Sequence, residues 1–191
     1  MVSLPEYRLT PEEYLRMERA AELKSEYDDG VVMAMSGASL RHTTIASALI
    51  RNIGNRLGDR CLVLGSDMKV RVLNPTRYFY PDVSIVCGRP QLADDHRDVL
   101  LNPLIVIEVL SKGTENYDRG RKFLSYQEIG SLQEYVLVSQ DDVLVEHYRR
   151  EADHWSYTKS KGLEATFDLR SAGCEIPLRE IYAQVDFSTT S

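Results

Sequence analysis

The sequence predicts an α/β fold: a mixed central sheet flanked by helices, in a single domain spanning residues 1–191. Three observations predict it. The run Leu104–Leu110 is apolar at every position except Glu108, the pattern of a strand covered on both faces. A helical stretch at 118–129 separates it from a second apolar run at 135–138, and a strand–helix–strand order makes a parallel pair with a right-handed crossover. Hairpin signals on either side add antiparallel strands.

The elements follow in order. Thr10-Pro11-Glu12-Glu13 starts a helix: Thr10 caps, Pro11 suits the first turn, and Glu13 completes a capping box. That helix runs to about Glu22. Residues 24–35 read as two short strands turning at Asp29-Gly30. Ile45, Leu49, Ile53 and Leu57 recur every fourth residue and give a second helix, 40–57, one apolar stripe. Strands are expected at 61–65, at 68–72 by alternation, and at 83–87, where Pro81 stands at the opening. After the crossover, which Gly130 ends, further strands are expected at 135–138, 143–148, 155–159 and 165–169. A short closing helix at 178–182 and a loose tail from Ser188 to Ser191 complete the reading.

Composition narrows the class. At 43% hydrophobic and 27% charged residues the chain is too apolar for a disordered protein. No apolar run approaches the roughly 20 residues needed to span a bilayer. Met1–Glu6 has neither a basic start nor an apolar signal core, so a cytoplasmic location and no membrane partner are expected. Cys61, Cys87 and Cys174 are odd in number and far apart, and read as buried small hydrophobes rather than a disulfide framework. The net charge of −6 argues against a broad basic surface for phosphates.

The chemistry gathers on few residues. Glu108 in a two-faced apolar strand needs a cation to offset its buried charge, whether a basic side chain or a metal ion. Asp82 stands at the mouth of the next apolar strand, where alone it reads as a turn aspartate. Paired with Glu108 it reads as an acid site, because adjacent carboxylates repel unless a proton or hard cation lies between them. Oxygen donors of this kind suit Mg²⁺ or Mn²⁺. Asp118 and Lys122 are four apart on one helix face. They form either a solvated surface pair or a device that turns Lys122 back towards the sheet, with Arg119 and Arg121 as basic surface beside it. His42 follows Ser36-Gly37-Ala38-Ser39 at a helix start, where a phosphate meets free N–H groups, and a capping or surface histidine is the alternative. Glu26 reads as a third acid or as the solvated face of a hairpin.

Taken together, Glu26-Tyr27-Asp28-Asp29-Gly30, His42, Tyr80-Pro81-Asp82-Val83, Ile107-Glu108-Val109-Leu110-Ser111, Asp118-Arg119-Gly120-Arg121-Lys122 with Tyr126, and Glu134-Tyr135-Val136-Leu137-Val138 resemble the Uma-type restriction-endonuclease-like family. The resemblance spans about Thr10 to Tyr182. It implies the PD-(D/E)XK nuclease fold and Mg²⁺- or Mn²⁺-dependent hydrolysis of phosphodiester bonds. It assigns catalytic roles to Asp82, Glu108 and Lys122, the two acids also holding the metal. Glu26, His42, Arg119 and Arg121 would contact substrate. The implied partner is DNA, with RNA as the alternative, and nucleases of this fold often act as homodimers. One departure stands out: the lysine expected two residues after Glu108 is Leu110. Lys122 is the matching position on the following helix, and Lys112 competes for it. A nuclease-fold module that binds nucleic acid or protein without turnover is therefore the alternative function. A purely structural pairing of the acids is the third.

Overall fold

A computed structural model describes residues 8–73 and 76–188. Most of the expected tail, and the Met1–Glu6 stretch, lie outside these described residues. Helix α1 (Pro11–Ala20) begins as its sequence demands, with Thr10 and Glu13 bonding reciprocally as a capping box. Strands β1 (Ser25–Asp28) and β2 (Val31–Ala34) form the expected hairpin. Its turn uses positive φ at both Asp29 (49°) and Gly30 (96°), which an Asp-Gly pair tolerates. Helix α2 (Leu40–Leu57) is capped by Ser39 and buries Ile45, Leu49, Ile53 and Leu57, the predicted stripe.

The strands that follow are β3 (Cys61–Gly65), β4 (Lys69–Val72), β5 (Arg77–Phe79), β6 (Val83–Cys87), β7 (Val99–Leu100) and β8 (Ile105–Leu110). Beyond the crossover come β9 (Glu134–Ser139), β10 (Leu144–Arg150), β11 (Trp155–Lys161), β12 (Thr166–Leu169) and β13 (Cys174–Pro177), closed by a short helix at Leu178–Ile181. The crossover is a single helical run from Glu115 to Tyr126, three residues earlier at each end than expected, in which a π-helical turn at Asp118–Lys122 lies between α-helical turns at Glu115–Tyr117 and Phe123–Tyr126.

The strands divide into more than the one expected sheet. The central sheet has the order β11-β10-β9-β8-β6-β3, with β8 and β9 parallel as the crossover requires. A second sheet, β2-β1-β5-β4-β7, and a ribbon, β12-β13, complete the set. One face of the central sheet carries Val83, Ile85, Ile105, Ile107 and Val109 against α2, the ribbon and the closing helix. The other face carries Val86, Val106 and Leu110 against Phe79, Phe123 and Tyr126. Strand β8 is therefore buried at every position, which is why its sequence shows no alternation. Among the described residues no helix is long and apolar enough to cross a membrane.

The structure corrects the cysteine reading. Cys61 and Cys87 sit opposite each other in the β3–β6 register and form a disulfide. Strand register brings them together across a separation of 26 residues, which spacing alone does not reveal. Cys174 is buried and free.

Candidate active site

Strand alternation sets the first geometry. On β8, Val106, Glu108 and Leu110 share the face opposite α2. On β1, Tyr27 turns towards α1 and stacks on Tyr14, so Glu26 and Asp28 take the other face. The π-helical turn lies against both. A π turn widens the helix locally, and such turns recur where side chains converge for function. Here it buries Asp118 and Lys122.

Lys122 is only 5% exposed. Its ammonium lies 2.9 Å from Glu26 Oε1, 2.9 Å from Glu108 Oε1 and 3.8 Å from Asp118 Oδ1. The Tyr126 hydroxyl donates to Glu108 Oε1 at 3.2 Å, and the Tyr80 backbone N–H donates to Glu26 Oε1 at 2.9 Å. Asp82 stands immediately before β6, the antiparallel neighbour of β8. Its Oδ2 accepts from the Val109 N–H at 2.7 Å, while its own N–H points at Glu108 Oε2 at 3.4 Å. His42 Nε2, from the first turn of α2, is 3.1 Å from Asp82 Oδ2.

The charges do not balance. Burial pushes the Glu108 carboxyl well above its ordinary pKa; Lys122 opposes this, and Asp118, Asp82 and Glu26 add to it. Burial likewise raises Asp118, against Lys122. Burial disfavours the Lys122 ammonium, but Glu108, Glu26 and Asp118 outweigh that effect and hold it charged. For His42, burial opposes the charged ring, and the bond to Asp82 and its charge win, so its pKa rises. One buried lysine thus faces three acids, with Asp82 as a fourth nearby, and an additional cation would be stabilised there.

Glu26, His42, Asp82, Glu108, Asp118 and Lys122 line a cleft of about 860 Å³, together with Ser39, Tyr117 and Gln140. The donor chemistry fits a hard divalent ion. Asp82, just before β6, and Glu108, on the neighbouring β8, offer oxygen donors, and Mg²⁺ needs only one or two carboxylates, since water and phosphate complete its shell. Among the described residues no three His, Cys, Asp or Glu side chains form a ready-made metal cage.

The structure gathers Asp82, Glu108, Lys122, Glu26 and His42 into the cleft. It does not gather the arginines. Arg119 is engaged by Glu115 at 2.6 Å and by Glu146 at 2.7 Å, and Arg121 pairs with Asp28 at 2.7 Å with its side chain 62% exposed. Neither lines the cleft, and the exposed Lys112 does not either. Glu134 faces elsewhere: it accepts from the Ser171 N–H and hydroxyl at 2.6 Å each and lies 2.6 Å from His147 Nε2. Tyr126 and Tyr80 hold the acids in place, and the residues alone assign them no such role. Asp28 was traceable, since it lies two residues after Glu26 on the same strand face.

Comparisons with known proteins bear on the family and the fold. A family model described as "Uma2: Putative restriction endonuclease" matches residues 11–178. The uncharacterized protein slr1290 of Synechocystis sp. is 37% identical over 195 residues, covering 97% of each chain. A second uncharacterized Synechocystis protein, sll1609, is 35% identical over 163 residues, covering 84% of this chain and 92% of its own. Among solved structures, a chain from Anabaena variabilis described as "a putative nuclease belonging to DUF820" superposes with a TM-score of 0.76, covering 92% of this chain and 98% of that one. At 17% identity that likeness speaks for the fold alone, an α/β arrangement of mixed sheets with flanking helices. A family match across most of the chain, joined by two relatives of nearly full length, settles the kinship: this chain belongs to the Uma2 family.

Proposed function

We propose that this protein is a nuclease that uses Mg²⁺ or Mn²⁺ to hydrolyse phosphodiester bonds of nucleic acid, with DNA as the first substrate to test. The observation that carries the reading is the placement of Asp82, just before β6, and Glu108, on the neighbouring β8, in one cleft, with Lys122 drawn to Glu108 at 2.9 Å. Asp82 and Glu108 would hold the ion. When bound, it would supply positive charge where the phosphate gathers negative charge during hydrolysis. Tyr126 orients Glu108, and His42 with the Val109 N–H orients Asp82. Lys122 keeps a fixed positive charge beside the acids, the position from which it favours a developing phosphate anion.

The test is calorimetric titration of Mn²⁺ into pure protein, followed by incubation with varied DNA and RNA. Wild type is expected to bind and cut, and Asp82→Ala and Glu108→Ala to do neither. Equal inertness of all three proteins across metals would overturn the proposal.

One observation favours the second reading, a binding module without turnover. Both close partners of Lys122, Glu26 and Glu108, are carboxylates at 2.9 Å, so its charge is already engaged. Nucleic-acid binding that persists without metal, and without cleavage, would select that reading.

A further inference from the structure

We propose that the nucleic acid admitted by this cleft is an unpaired strand rather than an intact duplex. The inference rests on reading the cleft as a nucleic-acid site and goes beyond it by naming the form of the substrate.

Three observations carry it. The first is size. At about 860 Å³ the cleft lies within the range of roughly 300–1,000 Å³ typical of small-ligand pockets. It has room inside for a short run of nucleotides, whereas a duplex, with a helical turn about 34 Å long, would lie across its mouth and leave the interior unfilled.

The second is the wall. Beside the acids the lining includes Leu23, Met33, Met35, Ile50 and Tyr117. Leu23 is 80% exposed, an isolated large apolar side chain at the cleft. A duplex turns its phosphates outward and hides the faces of its bases, so such a wall would meet only charge. An unpaired strand presents base faces, which pack on apolar and aromatic side chains whatever their sequence.

The third is charge. The chain carries −6 overall, and four of the cations near the cleft stand in ion pairs. Lys122 sits between Glu26 and Glu108, Lys24 pairs with Asp67, Arg41 lies 3.7 Å from Asp141, and Arg121 is 2.7 Å from Asp28. Duplex DNA carries one negative charge per roughly 1.7 Å of axis, twice the density of one strand. A chain of net negative charge is repelled less by the single strand.

The test uses the full chain and labelled oligonucleotides of one sequence, DNA and RNA, as single strands and as blunt duplexes. Binding is read by fluorescence anisotropy with Ca²⁺, and cleavage with Mn²⁺. The single strand is expected to bind about tenfold tighter, the effect of one stacked base, and to be cut first. Leu23→Glu should lower single-strand affinity by a similar factor without moving the thermal midpoint, and Leu23→Trp should raise it. Duplex bound or cut as well as the single strand overturns the inference and leaves the nuclease reading standing. Single strand preferred but never cut removes catalysis and supports the strand preference. Binding to neither form overturns the inference.

Discussion

Replacing Lys122 with methionine removes one charge and little volume from a site where that charge faces three buried acids. Glu108 is 4% exposed, Glu26 7% and Asp118 4%. Breaking one member of a buried ion cluster costs about 3–5 kcal/mol, because it strands the remaining charges. For a chain of 191 residues each kcal/mol moves the thermal midpoint by about 2–4 °C, so Lys122→Met should melt about 6–20 °C below wild type at neutral pH. The pH dependence has a definite sign. Burial and neighbouring acids raise the folded-state pKa of Glu108 above its ordinary value. A carboxyl with a raised pKa favours the fold at low pH and loses that contribution as pH rises through the folded value. Removing Lys122 raises Glu108 further. The deficit should therefore be small below about pH 4.3 and widen above it. Thermal melts across pH measure it, and the Lys122→Met/Glu108→Gln double variant should recover part of the loss. A single variant that melts within about 2 °C of wild type at pH 7, or with a deficit independent of pH, would refute the reasoning.

Asp82→Asn should lower Mn²⁺ affinity by more than about tenfold in calorimetry, since a carboxylate ligand is lost. The amide oxygen can still accept from the Val109 N–H, so stability should change by no more than about 1 kcal/mol; undiminished Mn²⁺ affinity would exclude Asp82 as a ligand. The Cys61–Cys87 bridge closes a separation of 26 residues, for which loop entropy gives about 3.5 kcal/mol. Thiol titration in denaturant should find one free thiol without reductant and three with it, and reduced protein should melt lower; three thiols without reductant would show that the pair is open. The Arg19 hydrogen bonds lower the Asp98 pKa, with Lys69 assisting against burial. A depressed carboxylate contributes stability above its unfolded value and loses it as pH falls through the folded one. Asp98→Asn should therefore flatten the fall in thermal midpoint below about pH 4, and an unchanged acid limb would assign that fall to other groups.

Much of this molecule was set by local pattern. Periodicity inside an element is a short-range property, so the α2 stripe, the capping box at Thr10, the Asp29-Gly30 turn and the covered strand β8 all follow from neighbours in the chain. The same holds for Glu108 and Asp82: a carboxylate against an apolar strand stands out without a structure. Short or interrupted elements were less legible. Strands β5, β7 and β13 are two to four residues long and carry too little periodicity to detect. The crossover helix carries a π turn at Asp118–Lys122, which helical spacing does not show. What only tertiary structure decided is convergence. Glu26 reaches Lys122 from a different sheet, and Cys61 meets Cys87 through strand register. Arg119 and Arg121 turn to Glu146 and Asp28 rather than into the cleft. Side chains on different elements meet according to register, helix rotation and rotamer. Those are set by how the whole core packs, so the sequence alone identified the two acids, and the folded chain decided which partners they have.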